Sequence, residues 1–199
     1  MAFGQPRIEL KNNAQMRTMH EAGLVLHRAL DAAVAAAVPG VTTKHLDDVF
    51  AAVLNEAGAK SNFLGYHGFP ATICTSVNEE VVHGIPGSRV LEDGDIISID
   101  GGAIVDGWHS DSARTVIVGT ADPEDQRLSD VTHAAMWRGI AALATGTHVG
   151  DIGAAIDDYV SSVPGKPLGI LEDYVGHGIG SEMHMAPDVL NYRTSHRGP

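Results

Sequence analysis

Thiols are almost absent from this 199-residue chain, whose one cysteine is Cys74. A lone cysteine excludes an internal disulfide and fits a reducing compartment, so the expected location is the cytoplasm. In Thr72-Ile73-Cys74-Thr75 it reads as a small buried wall residue, with a nucleophile as the alternative. Basic residues are scarce too: 13 Lys and Arg against 25 Asp and Glu leave a formal net charge of -12. That balance argues against nucleic acid or an anionic membrane as a partner. No long hydrophobic run exists. The longest purely apolar stretch, Ala32 to Val38, is far too short to span a bilayer, and residues 1–7 lack the apolar core of a secretory signal. Aromatic residues make up only 5% of the chain, yet 44% of it is hydrophobic, enough for a substantial core in one or two domains.

Apolar residues repeat at three and four from Met16 to Ala33, which predicts a long helix from about Ala14 to Val38, stopped by Pro39-Gly40. Thr42-Thr43 offers an N-cap to a second helix, roughly Lys44 to Ala57, ended by Gly58. β-branched runs cut by Gly, Pro and Asn predict strands and turns from Phe63 to Val118. Pro123 opens a third helix, about Glu124 to Ala144, and a fourth runs from Val149 to Val160. Gly40-Val41-Thr42-Thr43-Lys44-His45-Leu46 and Gly146-Thr147-His148-Val149-Gly150-Asp151-Ile152 each follow a long helix with similar spacing. Tyr66-His67-Gly68 and Gly176-His177-Gly178 also occupy comparable positions. The pattern suggests two similar α+β halves around a shared site, although Gly and Thr are common between helices and chance is an alternative.

Asp100 and Asp111 carry the strongest chemical signal. Asp106-Gly107 is the dipeptide that best predicts a two-residue hairpin. With that turn, Val105 pairs with Trp108, Ile104 with His109, Gly102 with Asp111 and Asp100 with Ala113. The two carboxylates become diagonal neighbours on one face, while Ile97 and Ile99 face the other way. Like charges so placed repel and call for a cation, and hard oxygen donors suit hydrolytic divalent ions. Two exposed aspartates near a turn are the alternative.

Among eleven histidines, His177 stands out between Gly176 and Gly178, where glycines let the backbone approach a ligand closely. His184, seven residues on, reaches toward the same pocket in this reading. His83, between a β-branched run and a Gly/Pro turn, is placed to hydrogen-bond a substrate amide or to sit on a rim. Phe63, Tyr66, His67, Phe69 and Cys74 crowd one stretch, whose rings either line an apolar pocket or pack as ordinary core.

Taken together, Gly65-Tyr66-His67-Gly68-Phe69-Pro70, Ser76-Val77-Asn78-Glu79 through His83-Gly84-Ile85-Pro86, Asp95 to Asp111, and Gly176-His177-Gly178-Ile179-Gly180 through His184 resemble type I methionine aminopeptidase, of the creatinase-like "pita-bread" superfamily. The resemblance covers nearly the whole chain, with order and spacing agreeing across four blocks. It implies an α+β pita-bread fold: two pseudo-symmetric halves, about 14–119 and 120–199, in a single catalytic domain with a central antiparallel sheet covered by helices. It further implies removal of the initiator methionine from polypeptides whose second residue is small. Two divalent ions (cobalt, manganese, iron or zinc) would activate the attacking water. Asp100 would chelate one ion, Asp111 would bridge both, and His177 would bind the second. His83 would hydrogen-bond the substrate near the scissile amide and His184 would stabilise the oxyanion, while Phe63, Tyr66, Phe69 and Cys74 would line the methionine pocket. Nascent polypeptide N-termini are the implied partners, with transient ribosome contact, no stable nucleic acid, no membrane, and a monomer. The absence of zinc-finger-like cysteine pairs brings the chain closer to the compact bacterial form.

Family members carry two further glutamate ligands past the position matching Pro199. Three protein ligands hold two ions poorly, so weak metal binding, impaired turnover and an unpaired sheet edge are expected of these 199 residues. A proline-specific peptidase of the same fold and a non-catalytic pita-bread binding module are the competing readings.

Overall fold

The computed structural model describes residues 8–199, so the reading of residues 1–7 as free of a signal lies outside the described residues. The chain divides into two compact units, one formed by Leu10–Asp125 with Ile179–Met183, the other by Gln126–Gly178 with His184–Pro199.

In the first unit, helix α1 spans Asn13–Ala36 and helix α2 spans Thr43–Glu56. The Asn12 side chain caps α1 by accepting from the backbone of Ala14 and Gln15, and the Gln15 side chain accepts from the Asn12 backbone in return. That reciprocal box satisfies donors which a helix start otherwise leaves orphaned. Ala22, Val25, Leu26, Ala29, Leu30 and Ala33 form the buried stripe of α1, at the three-and-four spacing of one helix face. Thr42 caps α2 through the His45 amide, and Gly58, at φ +66, follows its end.

Four strands complete this unit: β1 Lys60–Ser61, β2 Ile73–Val77, β3 Ile96–Val105 and β4 Trp108–Ile117. All pairings are antiparallel, with β1 and β2 on one side of β3 and β4 on the other. Along β3 the side chains alternate: Ile97, Ile99 and Ala103 join Leu30, Leu46, Phe50, Ile73 and Val77 in one core. Gly101 is required there, because a Cβ would lie 2.6 Å from the Phe50 ring. The opposite face of β3 presents Ser98, Asp100 and Gly102 by the same alternation. A buried carboxylate, Asp47, ties α2 to the approach of β2 by accepting from the Thr72 amide at 2.7 Å and its hydroxyl at 2.6 Å.

The second unit holds α3 Pro123–Ala142, α4 Gly150–Ser162, β5 Gly176–Gly178 and β6 Met185–Val189. Gly139 of α3 lets the helix sit against Ile152 and Ile156 of α4. Strands β5 and β6 pair antiparallel, with a register shift between His177 and Gly178. No helix among the described residues is long and apolar enough to cross a membrane.

Candidate metal centre

The β3–β4 hairpin has the expected register: Val105 opposite Trp108, Ile104 opposite His109, Gly102 opposite Asp111 and Asp100 opposite Ala113. Asp106 and Gly107 both take positive φ, 48° and 80°, the backbone that a two-residue turn needs to match the strand twist. The turn therefore sets the phase that brings Asp100 and Asp111 together as diagonal neighbours on one half-buried face.

Their chemistry follows from that proximity. The Asp100 carboxyl is pushed up to about 7, chiefly by burial, then by the Asp111 charge and by a hydrogen bond between the two side chains, with the Gly101 amide partly opposing. The pair accordingly retains a proton into the neutral range when only protein surrounds it. Two adjacent carboxylates that shed a proton in exchange for a cation are a donor set that fits a divalent ion. Among the described residues no group of three or more His, Cys, Asp or Glu side chains is gathered in metal-holding geometry, so the acidic centre is a pair.

Cys74 is the strand neighbour of Asp100. Its thiol is pushed up to about 12, first by burial and then by Asp100 and Asp111. A thiolate is the reactive form, so Cys74 serves here as a wall residue. It packs with Phe63 and Met183, and Phe69 lies against that cluster. The Phe63 and Phe69 rings meet edge to face, 6.3 Å apart. Tyr66 lies outside the cluster, 41% exposed, with its ring against His67.

His83 adopts φ 57, a left-handed conformation that a side-chain-bearing residue holds only when its surroundings enforce it. The enforcement comes from Gly84, whose carbonyl accepts from the Thr75 amide at 2.8 Å and whose amide donates to Ser76 Oγ at 3.1 Å. A Cβ on Gly84 would lie 2.1 Å from the Thr75 carbonyl oxygen. The loop is thereby pinned beside Thr75 and Ser76, with His83 exposed on it.

In the other unit, His177 and His184 have their rings 4.3 Å apart. His177 Nδ1 lies 2.9 Å from the Gly178 carbonyl; donation there leaves Nε2 as the lone-pair nitrogen of the neutral ring, the form a metal ligand takes. The space beside Gly178 is filled by the Ala186 carbonyl, 2.4 Å from where a Cβ would be. This glycine therefore admits β6, not a ligand, as its neighbour.

Two residues escape the sequence reading. His109 precedes Asp111 by two and so shares its face; burial pushes its imidazole down, against the opposing charges of Glu182 and Asp111. That two-residue spacing was the available signal. Met183 had none, because its partners lie more than a hundred residues away in the chain.

The sequence profile of metallopeptidase family M24 matches residues 17–198. The chain is 42% identical over 200 residues to methionine aminopeptidase 1 of Mycobacterium tuberculosis, an alignment covering 98% of this chain and 75% of that one. It is 44% identical over 193 residues to the methionine aminopeptidase of Clostridium acetobutylicum, covering 96% and 76%. Among solved structures, the methionine aminopeptidase from Rickettsia prowazekii superposes with a TM-score of 0.91 at 37% identity, covering 97% of this chain and 77% of that one. A prolidase from Pyrococcus furiosus matches with a TM-score of 0.78 at 20% identity, covering 94% and 53%, which speaks to the fold alone.

Proposed function

The chain belongs to metallopeptidase family M24, and from that premise we propose that it removes the N-terminal methionine of polypeptides whose second residue is small. The observation that carries this reading is the Asp100–Asp111 pair, two carboxylates set as diagonal neighbours by the hairpin register on the face beside an apolar cluster. Relatives named methionine aminopeptidase, about 40% identical over nearly the whole chain, support the substrate class.

In the proposed site Asp100 and Asp111 would hold divalent ions of cobalt, manganese, iron or zinc, the family resemblance assigns His177 as a further ligand, and with so few protein donors the binding would be weak. When bound, such ions lower the pKa of a coordinated water toward neutrality and polarise a peptide carbonyl. The remaining work falls to the protein. Phe63, Phe69 and Cys74 take up the methionine side chain, where a thioether packs well on aromatic edges. His83, on its strained loop, donates a hydrogen bond near the scissile amide, and His184 donates to the oxygen on which charge develops. Burial of Asp100 keeps the carboxylate pair hungry for positive charge, since each ionised oxygen there lacks full hydration.

The substrate is the N-terminus of a nascent polypeptide, met transiently at the ribosome by a monomer in the cytoplasm. Calorimetric titration with manganese tests the metal site: the expected result is binding that Asp111→Ala abolishes, and equal heats from both proteins defeat the proposal. Cleavage of Met-Ala-Ser in preference to Xaa-Pro peptides tests the substrate class, and the reverse preference assigns the chain to proline-specific hydrolysis.

A further inference from the structure

Residues 62–72 leave the sheet after β1 and return to it as β2, and this loop carries Phe63 and Phe69 of the small apolar cluster. Loops ordinarily move more than the elements they join. Here both ends are clasped. Ser61 Oγ donates to the Thr72 carbonyl at 3.1 Å and accepts from the Phe63 amide at 3.0 Å and the Leu64 amide at 3.2 Å. Thr72, two residues before Cys74, is held in turn from α2, where one oxygen of the Asp47 carboxylate accepts from its amide at 2.7 Å and from its hydroxyl at 2.6 Å. The other oxygen lies 3.6 Å from the Lys44 ammonium. Asp47 and Thr72 are only 6 and 9% exposed. A buried carboxylate is costly unless its bonds are made, and the core beneath α2 is filled by the apolar, fully buried Leu46 and Phe50, so packing alone does not call for a charge at position 47.

We propose that Asp47 is a positioning residue for substrate binding, rooting through Thr72 and Ser61 the loop that carries Phe63 and Phe69. This rests on reading the chain as a methionine-removing peptidase. The path is short. Asp47 fixes Thr72, Thr72 fixes Ser61, and Ser61 fixes the Phe63 amide, so the start and the end of the loop share one anchor on α2. Bonds to an ionised acceptor are shorter and stronger than neutral ones, in keeping with the two distances to Asp47. A loop already ordered binds a side chain without first losing freedom, whereas one that must be ordered on binding forfeits part of the affinity. Asparagine at position 47 keeps an acceptor for Thr72 but removes the charge and turns an N–H toward Lys44.

The test uses the whole chain labelled with 4-fluorophenylalanine, in the presence of manganese. The 4 phenylalanines give one fluorine signal each, and Phe50→Leu, Phe63→Leu and Phe69→Leu assign those that matter. In Asp47→Asn and in Thr72→Val the Phe63 and Phe69 signals should shift or broaden, while that of Phe50, on the same helix as Asp47, holds its place. L-Methionine should bind both variants about tenfold more weakly, the low end for one hydrogen bond to a charged group. Thr72→Ser, which keeps the hydroxyl, should match wild type in both readouts. Unmoved Phe63 and Phe69 signals in both variants overturn the proposal, as does a Thr72→Ser protein as weak as Thr72→Val. A Phe50 signal that moves with the other two shows general loosening of the core and overturns it as well. The two readouts also separate the failures. A wild type that binds no L-methionine while its loop signals respond to Asp47→Asn defeats the peptidase reading, and methionine binding indifferent to both variants defeats the positioning role alone.

Discussion

Replacing Asp111 by asparagine should stabilise the metal-free protein while abolishing its stabilisation by divalent ions. The ordinary Asp100 value of 3.8 is raised to about 7 in the fold. At pH well above 7, ionising Asp100 in the folded protein thus costs on the order of 4 kcal/mol relative to the unfolded chain, at 1.36 kcal/mol per pKa unit. The sign is set by proton counting. Between pH 4 and 7 the folded protein binds more protons than the unfolded one, so metal-free stability is greatest in the acid part of that window and declines as pH rises through it. Burial is the largest cause of the shift and survives the substitution; the charge and hydrogen bond of Asp111 do not. Asp111→Asn should therefore recover about 1–2 kcal/mol at pH 8, or roughly 2–8 °C in Tm for a chain of this size. With manganese at a hundred times its Kd the wild type gains about 2.7 kcal/mol, and the variant gains nothing. The assay is thermal unfolding from pH 5 to 8.5, in chelator and in manganese. Stability in chelator that is flat across that range, or an Asp111→Asn protein that melts lower than wild type in chelator at pH 8, refutes the reasoning.

Further consequences concern the core, the loop and the thiol. Phe50→Ala should destabilise the protein by about 3–5 kcal/mol in urea unfolding, and Gly101→Ala should also destabilise it, because the new methyl meets the Phe50 ring. Gly84→Ala should displace the loop bearing His83, since its Cβ would collide with the Thr75 carbonyl. The expected result is lost peptidase turnover with manganese affinity retained, read by calorimetry beside a cleavage assay. Cys74, its thiol near 12, should react with iodoacetamide at pH 8 about a thousandfold more slowly in the native protein than in urea, as its thiolate fraction requires; equal rates contradict the burial described for it.

The hairpin was readable because its determinants are local. Asp106-Gly107 selects the turn, the turn selects the register, and a period of two then decides which side chains share a face with Asp100. The helices were readable for the same reason: the apolar spacing of α1 and the cap at Thr42 lie within a few residues of what they control. Sequence alone thus determined the four helices, the β3–β4 hairpin with its pairing of two carboxylates and, through motif spacing, the family, but not β1 or the β5–β6 pair. Tertiary structure decided what surrounds them. Met183 joins Phe63 and Cys74 only because Ile179–Met183 packs in the unit of Leu10–Asp125, and Gly178 is a glycine because Ala186 crosses beside it. The Asp100 and Cys74 shifts likewise come mostly from desolvation, which exists only once distant segments exclude water. Turn geometry and side-chain alternation are written in neighbouring residues, whereas burial is a property of contacts among residues far apart in the chain, and no local pattern encodes it.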